Sequence, residues 1–284
     1  MIWRKAKHLI VYLLLILMSL IVLFPFVWVV LSSFKTQLEI FQIPPTILPA
    51  KPTLSNYADA LDLLPPGQQP TSEIPAGLRN SLEVALPTTI LMLLIACPAG
   101  YAFARVRFPA RRPLLILMLT LQMIPGLVLV VPLFALAVKV HLFDTKLALG
   151  AVYVAFNLPL GVWLLSVFFQ EVPQDLDDAA RIDGCTRIGA LYHVYLPLSL
   201  PAVATVGILV FSAVWNEFLF AVMLTETVAA KTAPVAIAQM QSPYETRWAI
   251  MTAGAVAFSL PALFIAYFAQ RYIVKGLTLG AVKG

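Results

Sequence analysis

Six polar or aromatic side chains interrupt otherwise apolar runs of this sequence: Gln122, Tyr153, Asn157, Trp215, Asn216 and Glu217. Such groups are costly at membrane depth and usually face a water-filled interior. The amides of Gln122 and Asn157 can hydrogen-bond a hydroxyl, and Trp215 or Tyr153 can offer an aromatic face. These six are candidates for lining a pathway; the alternative is that they tie neighbouring helices together. Bond-breaking chemistry is not suggested, because the apolar runs hold no nucleophile–base pair and no set of metal ligands. His8, His141 and His193 fall near the ends of runs without ligand spacing. Cys97 and Cys185 lie in different compartments of the expected topology, too far apart for a disulfide.

A second cluster is the charged island 171–197, EVPQDLDDAARIDGCTRIGALYHVYLP. Pro173 suits the first turn of a helix, where its missing N–H is no loss. Asp175, Asp177 and Asp178 follow and complement the positive end of the helix dipole. Asp177 precedes Arg181 by four residues, the favourable order for a helical ion pair. Gly184 offers the left-handed conformation that ends helices. A short helix over 173–183 is therefore expected, with Leu176, Ala179, Ala180 and Asp183 on one face. Paired alanines add little bulk, so another surface can approach that backbone closely. A second amphipathic stretch, 185–193, leads to Pro197, expected to open the next long helix. So ordered a polar segment in an oily chain suggests a surface that docks on something in the cytoplasm.

The elements that position these groups follow from composition. The 284 residues are 61% hydrophobic and only 12% charged, with mean hydropathy +0.89, more apolar surface than a soluble domain of this size can bury. Charge-free windows at 9–31, 84–104, 113–138, 147–169, 194–216 and 248–270 each suffice for the ~20 residues that cross a hydrocarbon core. Their apolarity is continuous rather than alternating, which excludes a porin-type barrel. The expected fold is all-α: one transmembrane domain over 1–284 with six transmembrane helices near 9–33, 80–104, 113–138, 147–169, 196–224 and 248–272. The first window resembles a secretory signal but is too long for one and lacks a small-residue cleavage site, so a retained span is expected.

The net charge of +5 is gathered at helix ends, with four arginines (105, 107, 111 and 112) within eight positions between the second and third windows. The outer segments are sparser in basic residues, so both termini are expected in the cytoplasm. Eight prolines in 35–79 block regular helix there, leaving 54–64 able to wind with Ser55 as N-cap. The segment 225–247 is either a reach toward an external partner or a passive connector. Pro125, Pro132, Pro159 and Pro261 fall inside windows and are expected to kink them.

The island then shows a resemblance. Asp178-Ala179-Ala180, three residues, Gly184, nine residues and Val194-x-Leu196-Pro197 resemble the EAA loop of bacterial ABC importer permeases. The usual form has Glu for Asp178 and Ile for Val194. Asn80-Ser81, Phe103-Ala104-Arg105, Trp215-Asn216-Glu217-Phe218 and the closing GLTLGAVKG are similar to the maltose-type carbohydrate permeases, in particular their smaller six-span subunit. The resemblance implies a bacterial inner-membrane permease. Its coupling helix (Leu176, Asp178, Ala179, Ala180, Asp183, Gly184 and, beyond it, Pro197) would seat on an ATP-binding subunit. Its cytoplasmic tail, 275–284, would reach the ATPases through Gly280, Ala281, Val282, Lys283 and Gly284. The implied partners are a second homologous permease, two ATP-binding subunits, an extracytoplasmic solute-binding protein, a carbohydrate and the bilayer, with no nucleic acid. No GxxxxGK[ST] occurs, so no cofactor is expected on this chain, and ATP and Mg would lie on the partner subunits. The alternative from another class is a secondary transporter or channel driven by an ion gradient. That reading would call for several carboxylates or histidines at midplane, where only Glu217 lies deep.

Overall fold

The computed structural model describes the backbone of residues 2–63, 72–242 and 246–281, with side chains from residue 8 onward except 269 and 271–281. Fourteen α-helices occur among these residues, joined by turns, a π-helical turn and one isolated bridge between Gln241 and Thr246. Four helices are long and apolar enough to cross a membrane: α1 (Ile2–Ser32), α4 (Ile74–Arg105), α7 (Lys146–Glu171) and α14 (Trp248–Ala281). The other two expected spans are bent pairs. α5 (Arg111–Leu121) meets α6 (Gly126–Lys139) at 90°, and the helical stretch Arg187–Leu198 meets α11 (Leu200–Trp215) at 82°.

The first bend is sharper than the kink expected at Pro125, the second falls where no kink was expected, and proline chemistry accounts for both. Pro125 has no N–H and disfavours helical geometry at Ile124, so α5 tightens into three-residue turns that end at Ile124, whose N–H bonds Leu121 O. Pro201 cannot donate to the carbonyl of Pro197, and the ladder breaks at Ser199. Pro197 therefore does not open span five: it lies upstream in α10 (Leu196–Leu198), and Pro201 occupies the first turn of α11. Span five is also shorter than the 196–224 expected, since α11 stops at Trp215 and α12 (Leu219–Leu224) follows a three-residue break. Pro132, Pro159 and Pro261, by contrast, lie within continuous helices.

The chain divides into two compact units. The first comprises Met1–Pro75 and Ala236–Leu260. Here α1 is exposed along its apolar length, as suits lipid. The proline-rich segment after it is more ordered than its composition suggests. α2 (Gln37–Ile40) is capped by the Thr36 side chain, and α3 covers only Ser55–Ala60. Ser55 is not its N-cap: Leu54 holds that position, while Ser55 N–H donates to Thr53 Oγ1 at 3.1 Å. Buried side chains brace the segment. Asn56 Nδ2 donates to Ser33 O and Lys35 O, both at 2.8 Å, and Glu39 Oε1 accepts from Ala50 N at 2.6 Å.

The second unit comprises Ala76–Val235 and Pro261–Gly284. Its core joins α4, α7 and α11 through Met92, Leu149, Val162, Leu165, Val206 and Trp215. α4 and α7 approach closely at Gly100 and Gly161. A Cβ on Gly100 would stand 2.9 Å from Leu165 Cβ, so α7 could not pack there against any larger residue. α4 starts at Ile74, six residues before the expected boundary, because Ser72 Oγ accepts the Ile74 N–H and Pro75 is tolerated in a first turn. At the other end α14 continues unbroken to Ala281, past the expected limit of span six, with no proline after Pro261 to stop it.

Candidate coupling helix and pathway side chains

Val172 is extended, Pro173 is the N-cap, and α8 runs Gln174–Ile182 with Asp175 and Asp177 in its first turn. The helix ends in a full Schellman motif. Cys185 N–H donates to Ala180 O at 2.9 Å, Gly184 N–H donates to Arg181 O at 3.1 Å, and Gly184 has φ +85°. Helix and stop match the sequence reading; its phase differs. Ala180 is only 8% exposed and turns inward, whereas Asp178, Ala179, Arg181 and Asp183 face out and Leu176 is 41% exposed. Ile182, at 85%, is the most exposed apolar side chain of the helix and was not among the candidates. Its signal was its place three residues after Ala179. The Asp177–Arg181 ion pair does not form among the described residues: Asp177 Oδ1 instead accepts from the Tyr101 hydroxyl at 3.4 Å.

Pro197 lies beyond α9 (Arg187–Ala190) and the π turn Leu191–Tyr195, on the near side of the bend. In the tail, Gly280 and Ala281 belong to the backbone of α14, while Val282, Lys283 and Gly284 lie outside the described residues.

The six pathway candidates separate into two groups. Tyr153 and Trp215 are buried, at 2% and 1% exposure, so neither presents a face to a pathway in this structure. Trp215 stacks on Phe211 with centroids 5.5 Å apart. The Tyr153 hydroxyl donates to Glu217 Oε2 at 2.5 Å. Glu217 in turn caps α12, accepting Phe220 N–H at 2.8 Å on Oε1 and Ala221 N–H at 3.1 Å on Oε2. Its carboxylate thus closes the break in span five. The sequence signal was a polar Asn216-Glu217 step before a second apolar run. Gln122, Asn157 and Asn216 retain exposed surface while each donates to a backbone carbonyl: Phe156, Tyr153 and Ser212 respectively, all at 2.8 Å. Gln122 lies in the break of span three.

A polar clamp that the sequence did not disclose joins α4 and the α6–α7 turn to the segment after α12. Asn80 Nδ2 donates to Val228 O and Lys231 O, each at 2.8 Å, and Ser81 Oγ accepts Ala233 N–H at 2.9 Å. Asp144 accepts from Glu226 N–H at 2.8 Å and from Thr227 N–H at 3.0 Å, and its other oxygen accepts the Thr227 hydroxyl at 2.6 Å. Partial burial pushes the Asp144 carboxyl up, but these hydrogen bonds and the Lys231 charge outweigh it and hold its pKa below the usual carboxylate value. A depressed folded-state pKa gives stability that is present above the unfolded value and lost as pH falls through the folded one. Asp144→Ala should cost at most about 1 kcal/mol near neutral pH, since solvent screens so accessible a carboxylate and discounts its hydrogen bonds. Thermal unfolding of the two proteins should converge as pH drops below about 4, and a gap unchanged at low pH would show that the carboxylate charge is not what holds the clamp.

These features define an all-helical protein with several membrane-length helices, two of them broken, and one exposed amphipathic helix between the fourth and fifth. The chain belongs to the family of binding-protein-dependent transport system inner membrane components, whose sequence model matches residues 78–279. It is 40% identical over 270 residues to the trehalose/maltose transport system permease protein of Thermococcus litoralis, covering 95% of this chain and 94% of that one. It is 38% identical to the sulfoquinovosyl glycerol transport system permease protein of Agrobacterium fabrum, over 92% of this chain and 89% of that one. It is 43% identical to the trehalose transport system permease protein of Mycobacterium tuberculosis, over 74% of this chain and 77% of that one. The fold is similar to that of a chain in the crystal structure of a bacterial ABC transporter involved in the import of the acidic polysaccharide alginate. The TM-score is 0.78 at 20% identity, covering 94% of this chain and 96% of that one. The resemblance to carbohydrate-uptake permeases drawn from the motifs therefore holds.

Proposed function

We propose that this chain is a permease subunit of an ATP-driven ABC importer for a carbohydrate, forming half of the translocation pathway and passing ATPase motion to the membrane through α8. The observation that carries this reading is the exposed foot itself. Asp178, Ala179, Ile182 and Asp183 stand outward on a helix closed by Gly184, in a chain of the binding-protein-dependent transport family. Leu176 borders that foot and Ala180 backs it from within. The partners are a second homologous permease, two ATP-binding subunits that carry ATP and Mg, and an extracytoplasmic solute-binding protein. Both termini are cytoplasmic, and Gly280–Gly284 contact the ATPases. The substrate is a disaccharide, an oligosaccharide or a glucosylated polyol, a reading supported by the trehalose, maltose and sulfoquinovosyl glycerol named for its relatives. Gln122 and Asn216, which are exposed, and the half-buried Asn157 are its pathway contacts on this subunit.

Reconstituting the chain with its co-purifying subunits in vesicles tests the proposal. Uptake of a labelled disaccharide should require ATP inside the ATPase-facing compartment and should collapse when the partner's phosphate-binding lysine is replaced. Uptake driven by a proton or sodium gradient without ATP would overturn it.

A further inference from the structure

Arg105, the last residue of α4, sits where the α8 excursion leaves the membrane helices and where it returns. On the outgoing side its guanidinium Nη2 donates to Phe169 O at 2.9 Å and to Val172 O. These carbonyls lie in the last turn of α7 and immediately before Pro173, where a helix C-terminus leaves acceptors unpaired and favours a cation. On the returning side the same guanidinium lies over the ring of Tyr195, 5.2 Å from its centroid. Tyr195 closes the π turn that precedes α10 and is fully buried. Its ring also meets Tyr101 edge-on at 4.9 Å and Phe169 at 6.0 Å, and the Tyr101 hydroxyl reaches Asp177 in α8. Arg105 Nε is buried without a partner among the described residues, so the group is held there against a desolvation cost. A planar guanidinium that donates from Nη2 to two carbonyls while lying over an aromatic ring suits arginine better than lysine.

We propose that Arg105 is a positioning residue for transport: it fastens both ends of the 173–194 excursion to α4, so that force on the α8 foot moves the spans as a rigid body. The inference rests on the coupling role proposed above for α8. Without this fastener the foot swings on two loose chain ends, and motion of a docked motor is dissipated in the loop before it reaches the bilayer.

The test uses the reconstituted complex, with a nitroxide attached at Ile188→Cys, an exposed position of α9 within the excursion and outside the foot, in a Cys97→Ala, Cys185→Ser background. Arg105→Gln should assemble in normal yield, show a more mobile label, and transport about tenfold fewer molecules per ATP hydrolysed, the scale of an ordinary coupling free energy. Arg105→Lys should recover only part of that ratio. Arg112→Gln, at an exposed arginine in the first turn of α5, should change neither readout. Unchanged label mobility in Arg105→Gln would overturn the proposal. So would transport and ATPase activity falling together in step with complex yield, the mark of a purely structural role. ATP-independent uptake by the parent complex would instead refute the coupling role of α8, and with it the inference built on that role.

Discussion

Glu217→Leu should destabilise the chain by about 3 kcal/mol, the sum expected when two backbone donors and a buried hydroxyl lose their acceptor together. The carboxylate serves Phe220 N–H, Ala221 N–H and the Tyr153 hydroxyl, and leucine matches its bulk while offering none of them an acceptor. The surroundings give little compensation: Phe220 is buried and packs on Phe156 at 4.8 Å, and Tyr153 is only 2% exposed. The break between α11 and α12 should then slip or straighten, and uptake should fall with it. Glu217→Gln keeps one acceptor oxygen and should lie between the two. Thermal unfolding in nanodiscs measures the loss. A leucine variant as stable as the parent would mean that Glu217 is not the cap that holds the break.

Gly184→Val should abolish most transport while leaving membrane insertion intact. At φ +85° a side chain costs about 1–2 kcal/mol in the left-handed region, and β-branching makes the conformation a genuine outlier. A Cβ placed there would meet no atom within 4 Å, so the penalty is backbone strain alone and not a clash. The relief available is to undo the Schellman turn. That would extend or unwind α8 and rotate Ala179 and Ile182 off the face they present. Gly184→Asn, which tolerates the left-handed region, should restore most of the activity. The checks are uptake and ATPase rates of the reconstituted complex, and a fully active valine variant would show that the turn is dispensable.

Helix α8 was legible because its determinants are local. Proline at the start, aspartates in the first turn and glycine at the stop each act through backbone chemistry that spacing reveals. Its phase was not legible. Ala179 and Ala180 are equivalent in size, and only the packing of α8 against α9 and the π turn decides that Ala180 turns in and Ile182 stays out. The six apolar regions were equally plain, since continuous hydropathy needs no partner to be read. The breaks within them were harder to foresee. Proline lies inside a continuous helix at 132, 159 and 261 and at a break at 125 and 201, and hydropathy does not tell the two cases apart. The same limit applies to Tyr153, Trp215 and Glu217, whose residue types fit a solute pathway as well as an internal brace. Asn80, Asp144 and Arg105 bond across many residues to backbone carbonyls or N–H groups, and no periodicity marks such pairs.

Site-directed crosslinking during ATP turnover tests the coupling role of α8 most directly, using single cysteines introduced by Ala179→Cys, Ala180→Cys and Ile182→Cys. The cysteines at 179 and 182 should join the nucleotide-hydrolysing subunit rapidly, while the inward one at 180 should react slowly or not at all. If neither outward position captures that subunit, the foot does not bear on the motor and the account of coupling is wrong.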